Sequence, residues 1–288
     1  MRGIQGSSGK ENGEPEMRKK NGSKWNKYLY AGAVMTGIAL LLGVVGFFWT
    51  PCSTTAMSAG EKFSPPSLGH IFGTDNFGRD IFSRVMKGLG TTIAVSSLVV
   101  LFSGAVGILL GALTGYFGGI GDEIVMRITD AVNGFPSILL TLVIISLLGS
   151  GRQNVIISLG IVFAPSFVRI VRSEFIRLRD ADYIRRARLM GAGSFRILFV
   201  HILPNIFSVF WISVMIGFNN AILAESGMSY LGIGVQPPDA SLGNMLSDAQ
   251  GYLQSAPWCA LAPGLTIVWV VLGFSLFGEG IRRKAAEE

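Results

Sequence analysis

The chain has 288 residues, 50% hydrophobic and only 15% charged, with a formal net charge of +6 and a mean hydropathy of +0.51. Soluble domains carry about 25% charged residues, so this balance excludes an ordinary soluble fold and points to a membrane protein. Nucleic acid is not implied by the positive excess, because the basic residues gather between apolar runs and follow a membrane topology.

Residues 1–25 are polar and charged ("GSSGKENGEPEMRKKNGS") and read as a disordered tail. Runs free of Asp, Glu, Lys and Arg then follow at 28–49, 88–121, 131–151, 197–224 and 249–278. A helix needs roughly 20 residues to cross a ~30 Å hydrocarbon core, so each of these runs suffices. A further run, 153–168, contains Pro165 and reaches spanning length only if Arg169 and Arg172 lie at the interface, where long cationic side chains snorkel. The expectation is an all-α membrane protein of six transmembrane helices. The first of them, within 26–50, is too long for the ~7–15-residue apolar core of a cleaved signal and is expected to stay in place.

Residues 1–27 hold seven Lys/Arg, 172–196 hold seven, and the tail 284–288 follows three more at 282–284. Six spans put all these segments on one side, which the positive-inside rule makes cytoplasmic, together with both termini. The segment 51–86 and the Gly/Pro/Ser-rich loop 228–258 then face outward, the latter long for a tight turn. In "FGTDNFGRDIFSRVMKG", Thr74 or Asp75 is an expected N-cap for a helix leading into the second span. Arg127 and Asp130, one helical turn apart, are expected to pair with each other, and Pro136 in "NGFPS" to kink the third span. Cys52 and Cys259 both fall near the outer surface and are expected to be unpaired, with no metal-ligand spacing.

Catalytic signatures are missing. The two histidines, His70 and His201, fall on opposite sides by topology, which argues against a histidine metal cluster. There is neither a G-x-S-x-G elbow nor a G-x-x-x-x-G-K-[ST] phosphate loop. The expectation is therefore no catalytic and no metal site on this chain, and no binding and hydrolysis of ATP by the phosphate-loop route.

The stretch "DYIRRARLMGAGSFRILFVHILPN", 182–205, is basic and broken by glycines between apolar runs. Asp180 or Asp182 is an expected cap for a first short helix carrying Arg185, Arg186 and Arg188 toward its C-terminal half. Gly191 and Gly193 are expected to end it, and Ser194 to cap a second helix running into span five. Tyr183, Ile184, Ala187 and Met190 form an apolar stripe at helical spacing. By this pattern alone the element could lie on lipid headgroups or dock into a partner's groove. Within span five, Asn219 and Asn220, with Glu225 near its outer end, are polar at costly depth. They are candidates for a pathway lining or for interhelical hydrogen bonds.

The stretch resembles the EAA loop of ABC-importer permeases, an E-A-A-x3-G-x9-I-x-L-P pattern. Ala187, Gly191, Leu203 and Pro204 match it, while Arg185 stands at the Glu position, Arg186 at the first Ala and His201 at the Ile. "FGTDNFGRDIFSRV", "GYFGGIGDEIVMRITD", "FPSILL" and "LAESGMSYLGIGVQPPDASLGNML" are similar to permease subunits of dipeptide, oligopeptide and nickel importers, over about 26–283. The resemblance implies a type I importer fold, with a permease core at 87–283 and a coupling loop at 174–203. It also implies a bacterial cell-membrane location and four kinds of partner: a homologous second permease, two cytoplasmic ATPases, an external solute-binding protein and the lipid bilayer. ATP and Mg would be held by the ATPases, with no cofactor on this chain. Tyr183, Ile184, Arg185, Arg186, Ala187, Met190, Gly191, Gly193, Leu203 and Pro204 would carry the coupling. Among cargoes the family allows, peptides are favoured over nickel or its chelates, because no histidine lies inside a span. A membrane-embedded enzyme or receptor is the more distant alternative.

Overall fold

A computed structural model describes residues 22–285, with side chains for 27–284. The tail expected at 1–25 lies outside the described residues except for helical backbone from Gly22, and most of the tail at 284–288 lies outside them too. The described chain is helical, with no strand beyond an isolated bridge between Thr74 and Asp80. In order the helices are α1 (Gly22–Phe48), α2 (Ile81–Phe117), α3 (Gly119–Asn133), α4 (Ser137–Leu148), α5 (Arg152–Arg179), α6 (Asp182–Leu189), α7 (Ser194–Arg196), α8 (Leu203–Tyr230), α9 (Leu242–Ala249) and α10 (Trp258–Ala285). Five helical stretches are long and apolar enough to cross a bilayer. The pair α3–α4, bent by 95°, makes a sixth when counted as one broken crossing. This is a multi-pass architecture of the expected kind.

The break comes at Gly134–Pro136. Proline disfavours helix in the residue before it and cannot donate into the preceding turn. Accordingly α3 ends at Asn133, and Pro136 stands immediately before the first residue of α4. The proline thus parts two helices where a kink was expected.

In α2 the apolar run begins at 88, yet the helix starts at Ile81. Its first turn is capped by Asp80, whose side chain accepts from Ser83 N at 2.8 Å, and not by Thr74 or Asp75. Asp75 instead closes the preceding turn, accepting from Phe77 N at 2.8 Å and Arg79 N at 2.9 Å. Arg84 is only 5% exposed and is tolerated there because Asp75 and Asp248 lie within 3.7 and 3.8 Å of its guanidinium. Arg79 joins the same group, 2.6 Å from Asp75 and 3.7 Å from Asp248. The network ties the segment before α2 to α9. The loop between α8 and α10 is therefore structured: Ser241 caps α9, and Asn244 Nδ2 donates to Val235 O at 2.9 Å.

Helix α2 packs along α5 through a small-residue spine. A Cβ at Gly111 would meet Val168 O and Val171 Cβ at 2.8 Å, and one at Gly115 would meet Arg172 O and Phe175 Cβ at 2.7 Å. Gly107 abuts Phe167 in the same way. With lipid as apolar as the side chains, close backbone approach supplies the packing energy that water exclusion cannot. Toward the other end, Ser103 Oγ donates to Gly160 O at 3.0 Å. Both contacts run in register from 102 against 160 to 115 against 175, so α2 and α5 cross in the same direction.

The charges on α3 find partners on α5. Arg172 grips Asp122 with two bonds of 2.5 and 2.6 Å, and Arg169 reaches Asp130 at 2.8 Å. Arg127 pairs with Glu123 on its own helix at 3.1 Å. The expected Arg127–Asp130 pair is thus replaced, because α5 presents a better-placed cation to Asp130.

Candidate functional site

At the foot of α5, Asp180 leaves the helix and the chain turns into α6. Neither Asp180 nor Asp182 caps it: Ala181 holds the cap position without a side-chain bond, and Asp182 is the first helical residue, where its charge still favours the helix dipole. The C-terminus closes on Gly191, whose φ of +86° is the left-handed conformation that an L side chain resists. Gly191 N donates to Arg188 O at 3.1 Å and Ala192 N to Ala187 O at 3.0 Å, the paired bonds of a Schellman ending. Gly193 is extended and precedes α7, so Ser194 opens that helix instead of capping it.

A six-residue π turn, Ile197–Ile202, joins α7 to α8. Leu203 N reaches back to Leu198 O. The wider turn sets Ile197, Leu198 and Ile202 on one buried side, and Pro204, which cannot donate, falls in the first turn of α8. These residues form a second apolar core with Ala112, Val171, Phe175 and Ile184.

That core divides the predicted stripe. Ile184 and Ala187 are buried in the chain's own core, while Tyr183 and Met190 face outward. Arg185, Arg186, Arg188 and Leu189 are exposed beside them. Leu189 at 89% and Met190 at 83% are open to an unusual degree for apolar side chains. Leu189 escaped the sequence reading because it is off the stripe; its signal is tertiary. Leu203 is half-buried against the second core and Pro204 is exposed. The result is a rigid basic elbow anchored by two residues and presenting a mixed cationic and apolar surface.

Two grooves run along α8. One has mostly apolar walls, among them Phe163, Phe167 and Ile216, and carries five polar residues: Asn133 at the end of α3, Ser137 on α4, Ser166 on α5, and Ser213 and Asn220 on α8. The second, between α8 and α10, is lined by Asn219 and Asn220 near the middle and by Glu279 and Arg282 near one end. Asn220 opens into both. Asn219 Nδ2 also donates to Ser275 Oγ at 3.0 Å, so it joins helices while facing the groove. Glu225 differs: it is 0% exposed, lines neither groove, and bonds Ser229 Oγ at 2.8 Å. Ser229 Oγ in turn accepts from Val235 N at 3.2 Å, so Glu225 braces the loop after α8. Asn133, Ser137, Ser166 and Ser213 were not foreseen, since single small polar residues on four helices give no linear pattern.

Cys52 and Cys259 are both free thiols. Burial, reinforced by the negative charges of Asp80 and Glu61, pushes the Cys52 thiol above the ordinary thiol value.

Comparison with known proteins agrees with this architecture. The dipeptide transport system permease protein DppC of Alkalihalophilus pseudofirmus is 39% identical over 259 residues, covering 90% of this chain and 85% of its own. DppC of Haemophilus influenzae is 34% identical, covering 90% of each chain. The glutathione transport system permease protein GsiD of Pectobacterium atrosepticum is 38% identical, covering 90% of this chain and 88% of its own. A solved chain of the MetNI methionine ABC transporter in an inward-facing conformation superposes with a TM-score of 0.58 at 20% identity, covering 70% of this chain and 95% of that one; it shares the fold. Residues 107–286 match the family described as the binding-protein-dependent transport system inner membrane component. By that match, and by relatives alike over nine-tenths of its length, the chain belongs to this family of membrane transport components.

Proposed function

We propose that the chain is a membrane-spanning permease subunit of an ATP-driven importer, and that α6 with its glycine elbow docks on a cytoplasmic ATPase. The observation that carries this reading is the division of α6. Ile184, in the second core, binds it to the bundle and Ala187 is buried beside it, while Tyr183, Arg185, Arg186, Arg188, Leu189 and Met190 face away. A helix so fastened transmits displacement: movement of its outer face must move the foot of α5 and the start of α8 through the second core. ATP and Mg belong to the ATPase subunits, and this chain holds neither. Both termini, α6 and the end of α10 lie on the cytoplasmic side in this reading, which the clustering of Lys and Arg supports. The domain limits inferred from sequence, with the coupling loop at 174–203, follow the same division.

The groove lined by Asn133, Ser137, Ser166, Ser213 and Asn220 is this subunit's share of the path, completed by a second, homologous permease. Its apolar walls with a few amides and hydroxyls suit a solute that is part polar and part apolar and of variable shape, recognised beforehand by an external binding protein. Short peptides are the cargo favoured, in keeping with relatives named for dipeptide and glutathione transport. Two experiments test this. A cysteine at Arg186 should crosslink to a copurifying ATPase, and absence of any such crosslink with unimpaired uptake in an Arg185→Glu/Arg186→Glu variant would sink the docking assignment. Deleting the gene should abolish growth on dipeptides; unchanged peptide uptake with falling cellular nickel would move the cargo to a metal or its chelate.

A further inference from the structure

At the end of the bundle opposite α6, a cluster of ligating side chains belongs to neither groove. Cys52 follows α1, His70 sits in the loop before α2, and Asp80 caps α2. One ligand atom from each lies within 4.8 Å of the other two. His70 Nδ1 is 2.9 Å from Asp80 Oδ1, and Glu61 Oε2 is 3.8 Å from His70 Nε2. The backbone holds these groups in place: Cys52 N donates to Ser83 Oγ at 3.0 Å, and Ser83 N donates to Asp80 Oδ2 at 2.8 Å. Cys52 and Asp80 are thereby fixed to the same turn of α2. The His70 loop is closed by Ser67 N and Gly73 N, which donate to His70 O at 2.8 and 2.9 Å.

A simple His70–Asp80 hydrogen bond would fasten the loop to α2 and explains two of the three residues. It leaves the Cys52 thiol beside that pair without a purpose. Among the described residues, Asp80 and Glu61 lie within 4 Å of the His70 ring nitrogens and pair with no Lys or Arg, so two carboxylates face this ring without a fixed cation.

We propose that Cys52, His70 and Asp80 bind one zinc-class divalent cation. Thiolate, imidazole and carboxylate together are the donor set such ions take. Ligand atoms around a tetrahedral zinc lie roughly 3 to 4 Å apart, so closing the cluster asks for side-chain shifts of about 1 Å. With His70 Nδ1 facing Asp80, ring Nε2 is left 3.8 Å from Glu61, and closing that gap to a hydrogen bond would let an outer carboxylate orient a metal-bound imidazole. The bound ion would join three separate segments: the exit of α1, the connecting loop and the start of α2. The same negative field that pushes the Cys52 thiol up becomes favourable once a dication sits within it. The site is independent of the transport reading, since it shares no residue with α6 or either groove.

The test uses the purified full chain in nanodiscs with cobalt(II) as the probe. One equivalent should produce tetrahedral d–d bands and a thiolate-to-cobalt charge-transfer band, both displaced by zinc. The charge-transfer band should persist in Cys259→Ser and disappear in Cys52→Ser and His70→Ala. In the Cys259→Ser background, zinc should slow alkylation of Cys52 by about tenfold or more, because a metal-bound thiolate is withheld from the reagent, and a chelator should restore the rate. This second measurement needs no change at the site, so misfolding of a ligand variant does not protect the proposal. A charge-transfer band that survives Cys52→Ser, saturation only at several cobalt ions per chain, or an alkylation rate indifferent to zinc would each overturn it.

Discussion

The two ends of the bundle treat their charges in opposite ways. Around Arg84 the chain collects Asp75, Arg79 and Asp248 into one mutually paired group and buries most of it. At the other end Arg185, Arg186 and Arg188 form no ion pair among the described residues and stand exposed on α6, Arg188 lying only 5.8 Å over the Tyr116 ring. Charge answered within the chain builds structure. Charge left unanswered on an exposed helix is available to another chain, which is what the docking proposed for α6 requires.

The comparison breaks most readily at Arg84. Arg84→Ala removes one of the two cations of this network, leaving Asp75 and Asp248 to Arg79 alone, and should cost about 2–3 kcal/mol, read as a lower unfolding temperature in detergent. A loss no greater than that of Arg186→Ala would mean that the two ends do not differ. The spine joining the ends should be nearly as sensitive. Gly111→Val drives methyl groups against Val168 and Val171 in a packed contact and should cost about 1–3 kcal/mol, with less protein retained in the membrane.

At Gly191, among the described residues, nothing beyond its chain neighbours lies within 4 Å of an added Cβ, so a substitution there meets strain and not collision. Gly191→Ala should cost about 1–2 kcal/mol through its left-handed backbone. If uptake falls far more than stability does, the elbow matters to a partner; if the two fall together, it serves this chain alone. Arg185→Glu with Arg186→Glu should change stability by no more than about 0.5 kcal/mol while ending uptake, the sharpest separation of the two roles. The smallest effect concerns pH. With its thiol held above the ordinary value, Cys52 in the metal-free chain should react with alkylating reagents more slowly than in the denatured chain near neutrality, and catch up only at more alkaline pH. Because the folded state favours the protonated thiol, its small contribution to stability is present below the ordinary thiol pKa and is lost as pH rises through the folded value. Equal rates in folded and denatured chains would remove burial as the cause.

Much of the fold was legible because a charge-free run of spanning length has one low-energy place to lie. The crossings at 28–49, 88–121, 197–224 and 249–278 could be read directly, and the weak fourth run became α5 because Arg169 and Arg172 found carboxylates on α3. Glycine at 191 was also readable as a helix end, since its signal is local. The Arg127–Asp130 expectation failed for the complementary reason: helical spacing shows which groups can meet on one helix but not which neighbour from another helix arrives first. Thr74 and Asp75 were plausible caps by type, yet the cap went to Asp80, whose position only the folded loop reveals.

The amino-acid sequence by itself determined the all-α membrane character, five of the six expected apolar crossings and the place of the basic elbow, because hydropathy, helical periodicity and glycine geometry act over a few residues. Only the tertiary structure decided that Ile184 and Ala187 turn inward while Leu189 and Met190 turn out, that Asn133, Ser166, Ser213 and Asn220 share one groove, and that Glu225 braces a loop. The same holds for the meeting of Cys52, His70 and Asp80. Each of these depends on which helix faces lie against each other, and that choice is made by the steric fit of the glycine spine and the pairing of distant charges, neither of which leaves a mark at fixed spacing along the chain.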